Sequence, residues 1–208
     1  MEDKALKPFK TIVITAPGDT PDEVRIIERL LRSGAADIVH IRKPEASPDE
    51  IRQLLLAIPA DLHPRLRLHS HFSLCEEFAI GGIHLNKRFP IPPAGYRHIS
   101  RSCHSLEEIS GACSPYEYVT LSPIFDSISK EGYRAAFSPE ECAQAASSSR
   151  IVALGGVEPE HLGRLRKAGF YGAALLGAVW NAPDGADAAA ERLARARAAI
   201  DEVNNPNQ

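Results

Sequence analysis

A chain of 208 residues with 44% hydrophobic and 25% charged residues fills one sizeable domain and requires no second one. Its formal charge of −3 excludes the basic surface on which nucleic-acid binding relies. The apolar runs, such as GAALLGAVW, reach about half of the roughly 20 residues a membrane span needs. The N-terminus MEDKALKPFK lacks the apolar stretch and cleavage site of a signal peptide. A cytoplasmic protein is expected, with small molecules rather than nucleic acid or membrane as partners.

Cys75, Cys103, Cys113 and Cys142 are widely spaced with no C-x-x-C pair. They read as buried free thiols rather than as a zinc site or a disulfide framework.

Short apolar runs alternate with amphipathic ones along the chain. The first strand is expected in KTIVITAP (10–17), followed by a helix in TPDEVRIIERLLRSG with a Thr cap, Pro at its first position and a terminal Gly. The second strand is DIVHIRK (37–43), followed by the helix SPDEIRQLLLAI. RLRLHSH (65–71) and GIHLNK (82–87) flank the short helix SLCEEFAIG. The segment RFPIPPAGYR (88–97), with three prolines, cannot be an ordinary helix. RHISRSC (97–103) and YEYVTLSPIF (116–125) flank SLEEISGAC, and SPEECAQAAS leads to RIVALGGV (150–157). EPEHLGRLRKAG leads to the eighth strand, YGAALLGAVW (171–180), and DGADAAAERLARARAAIDEV closes the chain.

Continuous apolar strands alternating with helices imply a parallel sheet covered on its faces. Eight such units are the count of a (β/α)8 TIM barrel of the α/β class, a single domain over 1–208. Its core is expected at about 10–182, a C-terminal helix at about 184–203 and a disordered tail at 204–208. A doubly wound sheet is the alternative, but the first strand is not followed by a G-x-G-x-x-G turn.

In a barrel, chemistry collects at the C-terminal strand ends. Gly155 and Gly156 after the seventh strand, with Gly177 and Ala178 after the eighth, suit a phosphate site built from backbone N–H groups. Tight strand-to-helix turns are the bland alternative. The long polar loop SPIFDSISKEGYRAA brings Ser127, Ser129 and Lys130 to the mouth, either to close over an anionic substrate or as a solvated connector. His69 and His71 share a strand face by their spacing, with His40 and His84 on neighbouring strands. A transition-metal site, a general base or the lining of a substrate pocket all fit them. His104 reads as an N-terminal helix residue packed under the fifth strand, and His63, His98 and His161 as surface residues.

HIR after the second strand, RSCHSLEE, YVTLSPIF with its Ser-Lys loop, IVALGGVEPEHLGRLRKAG and GAALLGAVW occur in that order. In this order they resemble the thiamine phosphate synthase and thiazole tautomerase (TenI-like) family from about residue 10 to 182. The resemblance implies a TIM barrel that couples thiazole phosphate to a pyrimidine pyrophosphate, giving thiamine phosphate. It places thiazole phosphate on Gly155, Gly156, Gly177 and Ala178, with Gly177 where a serine is common. It assigns substrate and pyrophosphate contacts to Ser102, Ser127, Ser129 and Lys130, and aligns Arg42 with the family's Q-[LF]-R-E-K arginine. His40 replaces the glutamine of that motif, and Lys43 stands in for the charge of its lysine, which is Pro44 here; both are expected to bind substrate or its phosphate. Arg42, Lys130, His69 and His71 are the catalytic candidates, and a homodimer is the assembly entertained.

The synthases also carry an Asp on Mg2+ after the third strand and a second Asp after the fourth. Here Ser70 and RFPIPP stand in those places, so the Mg2+ implied by the resemblance lacks its carboxylates. A tautomerase with a histidine base, or a non-catalytic binder of thiazole or thiamine phosphate, are the alternatives.

Overall fold

The computed structural model describes residues 9–110, 116–126 and 136–202. Eight parallel strands close into a barrel in chain order. They are β1 (Lys10–Ile14), β2 (Ile38–Ile41), β3 (Leu66–Leu68), β4 (Gly82–Leu85), β5 (Ile99–Cys103), β6 (Tyr118–Leu121), β7 (Ile151–Ala153) and β8 (Gly172–Leu175). Every expected strand forms, and most are shorter than the apolar run that announced them. Beyond the last ladder residue the chain turns away to build the mouth. GAVW, expected to continue β8, is instead the short helix α7 (Gly177–Trp180), pinned where the Trp180 indole N–H donates to the Ile14 carbonyl at 2.7 Å. The remaining helices are α1 (Glu23–Arg32), α2 (Pro48–Ala57), α3 (Leu74–Glu77), α4 (Leu106–Ser110), α5 (Pro139–Ser148), α6 (Leu162–Lys167) and α8 (Ala186–Glu202). The expected tail lies outside the described residues.

Local sequence explains most helix starts. Ser47 and Ser138 open S-P-x-E segments, and both form reciprocal capping boxes, with Glu50 and Glu141 respectively. The α1 start differs from its sequence signal. Thr20 and Pro21 lie in the turn before it, and the cap is Asp22 in left-handed conformation at φ 57. That turn directs Glu23 inward, onto Lys43. Ile27, Leu30 and Leu31 of α1 are buried against the barrel, each worth about 1.5–3 kcal/mol. Arg25 and Arg29 tie α1 to Asp187 of α8, and Arg29 also reaches Glu191 at 2.6 Å.

Two histidines depart from expectation. His63, read as a surface residue, is buried in a 3-10 turn (Ala60–Arg65), its ring nitrogens 2.9 Å from the Phe78 carbonyl and 3.0 Å from that of Ile58. Backbone carbonyls converge on both ring nitrogens, and the ring N–H donates to one side of them where an apolar side chain could donate to none. His104, expected under the fifth strand, is exposed before α4, with Nδ1 3.4 Å from the Ser122 hydroxyl. His98 is exposed, and His161 is half-buried with its ring stacked on Phe125. The proline-rich segment after β4 forms no helix, and Arg88 within it donates to the Pro44 carbonyl and Glu45. Cys75, Cys103 and Cys142 are buried free thiols; Cys113 lies outside the described residues.

The strand registers sort the barrel interior into layers of four, each from alternate strands. Nearest the C-terminal mouth are Ile14, His69, Ser102 and Leu154, and below them His40, His84, Thr120 and Ala174. Next come Ile12, Arg67, Ser100 and Val152, over Ile38, Gly82, Tyr118 and Gly172. The β7, β8 and β1 side is an apolar cluster that includes Ile12, Ile14, Val152 and Ala174. The side from β2 to β6 is polar. This two-sided interior positions the candidate site.

Candidate active site

Polar residues at alternate positions of β2, β4, β5 and β6, which both-sided burial would ordinarily make apolar, meet inside the barrel. His40 Nδ1 lies 2.9 Å from His69 Nε2, and His40 Nε2 lies 2.6 Å from the Tyr118 hydroxyl. His84 Nδ1 is 2.8 Å from Ser100 Oγ, and its Nε2 is 2.9 Å from Ser102 Oγ. The His69 and His84 rings stack at 4.4 Å, and the His40 and His84 centroids are 4.9 Å apart.

The Ser100 hydroxyl donates to the Ile83 carbonyl at 3.2 Å, so its oxygen accepts from His84 Nδ1–H. His84 Nε2 then accepts from the Ser102 hydroxyl. Ser102, half-buried at the mouth, is left with its oxygen lone pairs for a ligand.

All three rings are neutral near pH 7. Burial lowers His40 and His69 well below the usual histidine value, reinforced in both by the neighbouring His84, and burial alone brings His84 down to about 3. Burial raises Tyr118, which stays protonated. Arg67, one layer below His69, is held by Glu117 at 3.2 Å and by the Leu66 carbonyl at 3.0 Å.

The expected face shared by His69 and His71 does not form. β3 ends at Leu68, and the chain turns through Ser70 into His71, which is left-handed at φ 52. His69 points into the barrel, whereas His71 Nε2 lies 2.9 Å from the Ala46 carbonyl beyond β2. Lys43, expected on a phosphate, is buried with its ammonium 2.8 Å from Glu23 and 2.6 Å from the Gly18 carbonyl. Both bonds hold the loop after β1 against β2, so Lys43 is committed to the fold. Arg42 is half-buried at the end of β2, its backbone N–H donating to Thr15 Oγ1 at 2.8 Å.

Gly155 and Gly156 have φ of 89 and 62, and their space is already claimed from one side. A Cβ on Gly155 would stand 2.9 Å from Pro123, and one on Gly156 would stand 2.3 Å from the Asp126 carbonyl. These glycines seat the segment after β6, whose Phe125 N–H donates to the Gly155 carbonyl at 3.0 Å. Gly177 and Ala178 open α7 beside them, both half-buried. Ser127, Ser129 and Lys130 lie outside the described residues.

The donor set does not fit Mg2+. The ends of β3 and β4 carry His69, Ser70, His71, Asn86 and Lys87, with no carboxylate. Asn86 spends its amide on the His69 carbonyl and its Oδ1 on the Arg88 N–H. Imidazoles in a buried cluster are the wrong ligands for an ion that prefers octahedral oxygen.

Tyr118, Thr120, Ser100 and Arg67 were missed as site residues. Their signal was present as polar side chains two apart within RLRLHS, ISRSC and YVT, strands otherwise read as buried.

A family model described as thiamine monophosphate synthase matches residues 11–179. The thiamine-phosphate synthase of Salinibacter ruber is 28% identical over 196 residues, 85% of this chain and 82% of the relative. That of Bacteroides fragilis is 26% identical over 178 residues, 75% of this chain and 85% of the relative. A crystal structure of thiamine phosphate pyrophosphorylase from Bacteroides thetaiotaomicron superposes with a TM-score of 0.80 at 36% identity, covering 93% of this chain and 98% of the other. The barrel, its glycine-lined mouth and these likenesses agree: the chain belongs to the thiamine monophosphate synthase family.

Proposed function

We propose that this protein is a thiamine-phosphate synthase, a transferase that joins thiazole phosphate to a pyrimidine pyrophosphate. The observation that carries the reading is the mouth over β6 to β8. There the two left-handed glycines seat the segment after β6 beside the start of α7, and the family resemblance implies thiazole phosphate at this edge. In the reaction the pyrimidinylmethyl C–O bond breaks, pyrophosphate leaves with the bonding electrons, and the thiazole nitrogen donates its pair to the resulting carbon cation. No proton is gained or lost.

The chain's part is positioning and charge. Gly155, Gly156, Gly177 and Ala178 anchor thiazole phosphate, and the apolar wall of Ile14, Leu154 and Ala174 keeps water from the cation. Ser102, whose proton is spent on His84, accepts from a donor on the substrate. Arg42 faces the leaving pyrophosphate and offsets the charge that develops on it, with Lys130, Ser127 and Ser129 completing the anion site. Because the residues present do not fit Mg2+, no step is assigned to it. His69 and His40 line the pocket as neutral hydrogen-bonding groups.

Purified protein given both phosphorylated substrates, with and without Mg2+, is expected to release pyrophosphate and form thiamine phosphate. No product under either condition rejects the reading, and tight binding of thiazole phosphate without turnover points to a binder.

A further inference from the structure

The three buried imidazoles lie in a single cluster, and the proposed reaction uses none of them to move a proton. One nitrogen from each of His40, His69 and His84 lies within 4.8 Å of the others. Around a tetrahedral ion with metal–nitrogen bonds of about 2.0–2.1 Å, such nitrogens stand about 3.4 Å apart. His40 Nδ1 and His69 Nε2, at 2.9 Å, are already inside that separation, so a small opening of this pair and an approach of His84 suffice.

The outer nitrogens of His84 and His40 are held as metal-binding histidines require. His84 Nδ1–H is fixed on Ser100, whose own proton is fixed on the Ile83 carbonyl, so Nε2 carries the lone pair; an ion takes that lone pair in place of the Ser102 hydroxyl, which stands 2.9 Å away and can turn aside. Tyr118 stands against His40 Nε2, and with the imidazole proton donated there, His40 Nδ1 presents a lone pair to His69. His69 completes the set by carrying its proton on Nδ1 instead of Nε2, so each ring remains neutral and no net proton is released.

Thr120 supplies a separate observation. Its hydroxyl is buried in the layer of His40 and His84 and has no hydrogen-bond partner among the described residues. Such a group costs about 1–3 kcal/mol, and a ligand on the bound ion would relieve it.

Among the described residues, the cations whose charge bears on the cluster are Arg67 and Arg42. Arg67 is neutralised by Glu117 at 3.2 Å, and Arg42 sits at the half-exposed mouth near His69. Three neutral imidazoles therefore bind a divalent ion with no carboxylate to offset it. Such a site selects zinc or its late first-row neighbours over Mg2+ and leaves the ion attractive to an anionic oxygen entering from the mouth.

We propose that His40, His69 and His84 form a zinc-type metal site inside the barrel, with its fourth position open toward Thr120 and Ser102.

The test needs no turnover, so it is independent of the synthase reading. Full-length protein is stripped with chelator and titrated with Zn2+ by calorimetry and with Co2+ by visible absorption. One equivalent is expected, with the intense d–d bands of a four-coordinate site. Mg2+ is expected to give no signal. H40Q and H84Q should each weaken Zn2+ binding at least 100-fold, Tyr118→Phe about 10-fold, and H98Q, at an exposed ring, not at all.

If the histidine variants fail to fold, the wild-type Co2+ spectrum and a Zn2+-dependent rise in wild-type unfolding temperature decide the matter. A wild-type protein that binds neither ion, or binding that survives in the folded H40Q/H84Q double variant, overturns the site.

Discussion

His40 and His69 come from adjacent strands and face each other at 2.9 Å with no carboxylate between them. Two charged imidazoles could not share that space, so acidification must break it. His84 falls from 6.5 to about 3, and His40 and His69 are lowered too, while in the unfolded chain all three take up protons near 6.5. The unfolded state then binds more protons than the native one between about pH 6.5 and 3, so stability rises with pH across that window. At about 1.4 kcal/mol per unit, the loss on acidification amounts to several kcal/mol. Denaturant midpoints should stay nearly level from pH 7.5 to about 6.5 and fall steadily from there to 4.5, and H84Q should flatten the slope. A midpoint independent of pH over that range contradicts the buried neutral cluster.

Lys43 and Glu23 make the second buried pairing, at 2.8 Å. Removing one partner leaves the other charge buried, at a cost of about 3–5 kcal/mol. Lys43→Met should therefore lose stability by that amount, and the double change with Glu23→Leu should recover most of it. Chemical denaturation of the two singles and the double measures the coupling. If Lys43→Met keeps full stability and loses only substrate affinity, Lys43 is a substrate contact after all.

Gly156 meets the Asp126 carbonyl where a methyl would stand, at 2.3 Å, with φ 62. Gly156→Ala should cost about 1–3 kcal/mol and displace the segment after β6. Raised KM for thiazole phosphate, larger than any change in KM for the pyrimidine substrate, is the expected kinetic outcome. Equal shifts in both would show a general loss of fold.

Arg42, at the end of β2, is the cation whose charge bears on His69. With Arg42 on the leaving pyrophosphate as proposed, Arg42→Ala loses a hydrogen bond to a charged group, worth about 1.5–3 kcal/mol, and should lower kcat/KM for the pyrimidine pyrophosphate about 10- to 100-fold. Steady-state kinetics against each substrate test it, and an unchanged kcat/KM removes Arg42 from the reaction. Arg42→Lys should recover part of the loss, because charge returns without the fork geometry.

The eight strands, the (β/α)8 order and two capping boxes were legible in the sequence because each depends on local periodicity or on residues three apart. The family was legible too, since its motifs are runs of neighbouring residues. What the sequence left open was direction. HSH looked like two histidines on one face, but β3 ends at Leu68 and a left-handed His71 turns away, which a period of two cannot foresee. Lys43 looked like a phosphate ligand, and only the turn that brings Glu23 inward commits it elsewhere. The partnership of His40, His69, His84 and Tyr118 spans 78 residues from His40 to Tyr118. It exists because barrel closure stacks alternate strands into layers, and that register is a property of the closed sheet rather than of any stretch of chain.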